Sequence, residues 1–310
     1  MVAWCSEIAL CVLLAMTAPS SPDAPALDPE WTWVERPAGK PVIDRGGEGS
    51  WDAYAVDNPF LLVHDGSLYC FYEAQDKPFQ EGGHEQVGLA LSRGGVFWDK
   101  CRGNPILTVG PEGSWDSVVA KLPVVVRGPD GFCLFYSGKN KQTKQIGLAT
   151  SQDLVHWEKH AANPVLSSRP GQWDKHLSTH PAPPYRHDGR YLLLYRGMTG
   201  FYCDQGLGVA VSEDLVRWRR LTAGPVIPTS EEIASFAVTR ADGRYVGISQ
   251  APDRAYWFSD DLTHWQRGGA VRLTGPRVDT LSNPVWFEGE WVVLYEQGDR
   301  IFRAILEETE

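Results

Sequence analysis

The chain lacks any run of basic residues. Its 310 residues hold 29 Lys and Arg against 39 Asp and Glu, a formal net charge of −10. That balance excludes a nucleic-acid partner gripped through its phosphates. Beyond the first residues no apolar stretch reaches membrane-spanning length, so no membrane partner is expected either. There is no Cys-x-x-Cys pair and no metal-ligand spacing, which argues against a zinc or redox centre. No cofactor is expected, although a calcium ion on a central axis stays compatible with the pattern. Cys5 and Cys11 belong to the leader, leaving Cys70, Cys101, Cys133 and Cys203. Cys70 and Cys133 fall at the same place in successive repeats, which marks packing positions rather than a disulfide.

The apolar run Ile8 to Met16 precedes a segment rich in Pro, Ser and Ala, with Ala24-Pro25-Ala26 as a cleavage site. It resembles a secretory signal, although its start carries no Lys or Arg. Residues 1–26 are expected to be leader and residues 27–310 a single domain, secreted or periplasmic. A monomer is the favoured state.

What the chain does have is repetition. GSWDAYAVDNPFLLVHDGSLYCFYEAQ, GSWDSVVAKLPVVVRGPDGFCLFYSGK and GQWDKHLSTHPAPPYRHDGRYLLLYRG are versions of one phrase. Each leads to a matching tail: QVGLALSRGGVFWDKCRGNPIL, QIGLATSQDLVHWEKHAANPVL and QGLGVAVSEDLVRWRRLTAGPVI. A fourth copy is shorter, and a fifth stops before its tail. Self-similarity at a period of about sixty residues means one stacked supersecondary unit.

Within a unit, four short runs rich in Val, Ile, Leu, Phe and Tyr are separated by Gly and Asp turns, the pattern of antiparallel strands. Four such strands per repeat form a propeller blade. The fold class is therefore all-β: a five-bladed β-propeller with four antiparallel strands per blade. The missing fifth tail reappears at the other end of the chain, in Trp31-Thr32-Trp33-Val34 and Lys40-Pro41-Val42-Ile43. The N-terminal strand is expected to close the ring and remove its open edge.

In this fold the first strand of each blade lines the axis. The start of strand one and the end of strand two open on one face, where loops carry specificity. From strand-one starts come Asp52, Asp57, Asp116, Lys121, Asp174, His176, His180, Glu231, Glu232, Asp279 and Asn283. From strand-two ends come Glu73, Ser137, Arg196, Gln250 and Glu296. Converging carboxylates with Arg, His and aromatics nearby suit glycosidic bond cleavage, in which one carboxylate activates water and a carboxylic acid protonates the leaving oxygen. The repeated Trp-Asp pairs at Asp52, Asp116 and Asp174 also fit a turn-holding role. Asp57 breaks the repeat, since Lys121, Thr179 and Ser282 take its place elsewhere.

SQDLVHWEKHAANPVL, SEDLVRWRR and the recurring IGLAxS phrase resemble the five-bladed glycosidases of glycoside hydrolase family 43 and its family 32 relatives. The resemblance covers about residues 31 to 310. By blade order it implies Asp57 as general base, Asp174 as the Asp that tunes the acid's pKa, and Glu232 as acid. Asp52, Glu73, Asp116, His180, Arg196 and Glu296 are the expected substrate-binding residues. The implied activity is inverting hydrolysis of a poly- or oligosaccharide, with arabinose among its candidate sugars. Asn58 stands between Asp57 and Pro59, where the family's base directly precedes Pro. That departure supports a non-catalytic carbohydrate-binding propeller as the alternative. A glycoside phosphorylase is the third reading, with Lys121, Arg196 and Arg254 as phosphate ligands.

Overall fold

A computed structural model describes residues 24–201, 203–228, 235–250, 254–274 and 278–308. The signal-like run Ile8 to Met16 lies outside the described residues, as do Glu231 and Glu232.

The described chain is built of β-strands with one short 3₁₀ turn at Phe79–Glu81. An N-terminal strand, β1 (Thr32–Glu35), is followed by β2 (Ala55–His64), β3 (Ser67–Gln75), β4 (Glu85–Ser92) and β5 (Asp99–Lys100). The same sequence of elements recurs in β6 (Val119–Gly128), β7 (Gly131–Lys139), β8 (Lys144–Ser151) and β9 (Glu158–Lys159). Next come β10 (His176–Ser178), β11 (Tyr185–His187), β12 (Arg190–Gly200), β13 (Cys203–Ser212) and β14 (Arg219–Arg220). Then follow β15 (Phe236–Ala241), β16 (Arg244–Ser249), β17 (Ala255–Ser259), β18 (Gln266–Ala270) and β19 (Arg272–Leu273). The last group is β20 (Thr280–Leu281), β21 (Val285–Phe287), β22 (Glu290–Glu296) and β23 (Ile301–Glu307).

Pairing between neighbours in each group is antiparallel. The first two groups share one hydrogen-bonded sheet, joined by the parallel pair Glu85↔Val119. β1 lies antiparallel on β23, the place the truncated fifth repeat leaves open. Ile43 bridges Ile301 just as Leu107 bridges Val87, Leu166 bridges Ile146 and Ile227 bridges Leu207. The N-terminal segment thus does for the last group what each tail does for its own. Trp33 anchors it, fully buried, with its indole N–H donating to the Tyr256 hydroxyl at 2.9 Å.

The sequence signatures have local causes. In the Ser-x-Asp-Leu-x-x-Trp turn, the Asp153 carboxylate accepts from the backbone N–H groups of Val155 and His156. The Trp157 indole donates to the Leu154 carbonyl. Asp214 with Trp218 and Asp261 with Trp265 repeat this arrangement. The Asn of each Asn-Pro tail satisfies an otherwise open strand: Asn104 caps both backbone groups of Leu89, and Asn163 those of Leu148. Cys70, Cys101 and Cys133 are free thiols. No helix among the described residues is long and apolar enough to cross a membrane.

Candidate active site

The strand geometry gives four of the groups one cross-strand pair at the open end. Asp57 faces Glu73, Lys121 faces Ser137, Ser178 faces Arg196, and Thr280 faces Glu296. β2 and β6 each carry a bulge just beyond this pair, between Asp57 and Phe60 and between Lys121 and Val124. The bulge residues Asn58 and Leu122 take left-handed backbone at φ 45° and 53°. Such conformations are costly for residues other than Gly and concentrate at functional sites. Because of the bulge, the residue matching Asp57 in the third group is Ser178 and in the last Thr280, where the repeat alone suggested Thr179 and Ser282.

Asp57 lies deep among protein atoms yet keeps part of its surface open. Glu73 and Glu296 are buried. Burial, and then the charges of Glu85 and Glu296, push the Asp57 carboxyl up to about 7 against the pull of Lys121. Burial and Asp279 likewise push Glu296 up to about 7, with a further contribution from Glu73. Lys121 answers these acids: its ammonium lies 3.1 Å from Glu73 and 2.7 Å from Glu85. Despite its own burial, these carboxylates hold its pKa above the ordinary lysine value.

A basic side adjoins the acidic one. Lys144 is buried and its pKa lies well below the usual value, because burial and the charges of Lys121 and Arg196 oppose its protonation. Burial, and then the charges of Arg196 and Lys144, hold the His180 pKa well below the usual imidazole value. Its Nε2 has no hydrogen-bond partner among the described atoms. Nearby, His176 stacks on Phe201 with ring centres 4.3 Å apart, and Lys139 sits 4.5 Å from the Phe201 ring centre.

Of the expected site residues, Asp57, Glu73, His180, Arg196 and Glu296 therefore belong to one electrostatic cluster. Asp52, Asp116 and Asp174 do not. Each is buried and paired with a basic residue on the fourth strand of its own group: Lys100, Lys159 and Arg220 respectively, the first two at 2.5 Å. Arg169 and the Tyr195 hydroxyl complete the shell of Asp174, at 2.9 and 3.2 Å. The Trp before each Asp packs on a Tyr of strand two, and a Cβ on Gly138 or Gly197 would collide with Trp115 or Trp173. The Trp-Asp pairs are latches between the inner and outer strands. Asp174, expected to tune the acid, is instead held by Arg220, Arg169 and Tyr195, as Asp52 and Asp116, expected to bind substrate, are held by Lys100 and Lys159. Arg254 donates to the Val278 carbonyl at 2.7 Å rather than joining the basic side.

Glu85, Lys144 and Asn58 were missed as site residues. Glu85 and Lys144 open the third strands, which share a loop with the ends of the second strands and so open on the same face. A candidate list that included third-strand starts would have found both. Two surface clefts, of about 600 Å³ along Glu112, Asn140 and Lys141 and about 930 Å³ along Tyr69, Phe97 and Lys100, include none of the clustered carboxylates.

An all-β chain with carboxyls and cations gathered where its strands open is a β-propeller of the glycosidase class. The chain belongs to glycoside hydrolase family 130, whose model, described as β-1,4-mannooligosaccharide phosphorylase, matches residues 51–237. That family replaces families 43 and 32, to which the repeated phrases pointed. A search of curated proteins found no significant match. Among solved structures, a glycosyl hydrolase from Bacteroides ovatus is 14% identical with a TM-score of 0.70, covering 91% of this chain and 96% of that one. A structure from work on family 130, described as mannoside phosphorylases that include glycoside hydrolases targeting β-1,2 mannosidic linkages in Candida mannan, is 15% identical. Its TM-score is 0.66, over 91% of this chain and 96% of that one. A family 117 glycoside hydrolase produced by the marine bacterium Zobellia galactanivorans is 12% identical, with a TM-score of 0.68 over 90% and 92% of the two chains.

Proposed function

We propose that the chain hydrolyses β-mannosidic bonds with inversion, in a pocket on the axis of a five-bladed propeller closed by its N-terminal strand. Residues 27–310 form its one domain, exported behind the leader. The observation that carries this reading is the pair Asp57 and Glu296, two carboxyls from the first and last groups that are both pushed up to about 7, the charge of Glu296 contributing to the rise at Asp57. Inverting hydrolysis needs two carboxyls in different protonation states. The protonated one donates to the glycosidic oxygen as the bond to the anomeric carbon breaks. The ionised one takes a proton from the water whose oxygen bonds to the opposite face of that carbon. A carboxyl poised near neutrality suits either task. The choice of mannose rests on the family description and on the β-1,2-mannoside-cleaving relatives.

A second reading, phosphorolysis, is favoured by the basic side formed by Arg196, His180 and Lys144, the last of which feels Glu73 and Glu85, because a phosphate ion would supply the negative charge these groups attract. Phosphate would then take the place of water, and the product would be a mannose 1-phosphate. The two are separated by incubating the protein with mannooligosaccharides with and without inorganic phosphate, following the products by proton NMR. Hydrolysis predicts free α-mannose first, without phosphate. Sugar phosphate formed only with phosphate supports the second reading. Glycan binding with no product in either case would overturn both in favour of a non-catalytic carbohydrate-binding propeller.

A further inference from the structure

A cleft of about 540 Å³ opens on the same face as the clustered carboxyls, in the seam between the last group and the first. Three of its lining residues sit just outward of those carboxyls along the chain. Tyr54 precedes Asp57 by three residues, Asp76 follows Glu73 by three, and Arg300 follows Glu296 by four. The cleft therefore begins where the carboxyl cluster ends. The backbone of Tyr54 is fixed: its N–H donates to the Gln75 carbonyl at 2.9 Å, and its carbonyl accepts from Arg45 Nη1 at 3.2 Å. Its side chain is left open, the residue being 45% exposed. The hollow recurs between the first and second groups, where Val118, Val109 and Asn140 take the places of Tyr54, Arg45 and Asp76. The shape is thus architectural, but the aromatic ring and the guanidinium belong to this seam.

We propose that this cleft is a subsite for a neutral sugar unit beyond the two that flank the bond being broken, with Tyr54 as its platform. The identity of the sugar chain rests on the proposed mannoside cleavage, but the binding of a neutral sugar here does not. Strand spacing puts Tyr54 about 10 Å from Asp57, farther than one sugar ring reaches. The tyrosine face covers the C–H face of a pyranose, while polar groups at the rim hydrogen-bond its hydroxyls. Arg45 and Arg300 suit the second role. A guanidinium carries five N–H donors, and among the described residues Arg45 gives one to the Tyr54 carbonyl and Arg300 one to Asp44, at 2.8 Å. The charges of Arg45, Lys77 and Arg300 balance those of Asp44, Glu48 and Asp76, so the cleft favours neither an acidic nor a basic sugar.

The test compares β-mannobiose with β-mannotetraose, in both β-1,4 and β-1,2 linkage. The proteins are wild type, Tyr54→Val, which copies the second group, and Tyr54→Phe, which keeps the ring. Binding is measured by isothermal titration calorimetry on an Asp57→Asn background, so that cleavage is suppressed. The tetraose should bind about tenfold tighter than the biose, Tyr54→Val should abolish that preference, and Tyr54→Phe should keep it. In the active enzyme the same preference should appear in kcat/KM and be carried by KM, whereas a merely structural role would weaken both substrates alike. Equal affinity for the two lengths, or a preference that survives Tyr54→Val, would overturn the proposal. A tetrasaccharide of uronate units that binds tighter than mannotetraose would overturn the neutral-sugar assignment. A length preference lost with Tyr54→Val in a protein that cleaves no mannoside would leave the subsite standing and remove the hydrolase reading. Hydrolysis with equal kcat/KM on both lengths would do the converse.

Discussion

Asp57 and Asp174 both stand near the start of a first strand, but the charges around them differ. Asp174 is fully enclosed by Arg220, Arg169 and Tyr195, so its charge is compensated where it lies. Breaking one side of a buried ion pair strands the other, at about 3–5 kcal/mol. Asp174→Ala should therefore lower the melting temperature by several degrees, measured by calorimetry, while kcat on a mannoside stays close to wild type. Asp57 carries the opposite signature, with its carboxyl raised to about 7 from an ordinary 3.8, and Glu296 raised to about 7 from 4.5. Between those limits the folded state binds more protons than the unfolded one, so stability falls as pH rises through that window. Denaturant titrations should show a stability that is greatest near pH 4 and declines toward pH 8. Asp57→Asn and Glu296→Gln should each flatten part of that decline, and a slope unchanged in both would contradict the carboxyl assignments. The sequence made Asp57 visible because it broke a repeat. It could not separate Asp174 from a catalytic carboxylate, because the compensating Arg220 lies 46 residues along the chain. Lys144 and Glu85 were hidden because their importance comes from the loop connecting two strands, not from any departure in their own phrase.

At the scale of strands, legibility was higher, because hairpin pairing is local and its turn chemistry is written in short phrases. The Ser-x-Asp-Leu-x-x-Trp turns and the Asn-Pro tails could be read as repeating punctuation before any contact was known. The bulges could not, since they depend on how β2 and β6 fit against β3 and β7 rather than on composition. They shift the register of the site pair by one residue in the third group. The N-terminal strand is the strongest long-range expectation. β1 covers β23, Trp33 enters the core formed by β16, β17, β22 and β23, and Ile43 completes the same bridge as three internal tails. Removing residues up to Ile43 would expose the edge of β23 and leave a cavity where a buried Trp stood, a loss of about 3–5 kcal/mol for the side chain alone. The truncated protein should lose its cooperative thermal transition. A truncation that melts like the full-length chain would contradict closure by this strand.

For the whole molecule, repetition supplies the scaffold and irregularity supplies the chemistry. Tails, latches and turn motifs recur from group to group, while the carboxyl cluster draws on positions that differ between groups: Asp57, Glu73 and Glu85 from the first, and Glu296 from the last. Lys121 and Lys144 come from the second and Arg196 from the third, so the site forms only when the groups are assembled around one centre. This explains why the fold could be read from phrases and the site only from candidates. It also explains why family 130 lay outside the expectation, since the phrases that pointed to families 43 and 32 are architectural. The claim on which the account turns is that Asp57 takes part in bond cleavage. The direct measurement is kcat/KM of wild type and Asp57→Asn on a mannooligosaccharide, with and without inorganic phosphate. The account predicts a loss on the order of a hundred- to ten-thousand-fold and intact folding. Near-wild-type turnover of the oligosaccharide by Asp57→Asn would contradict it.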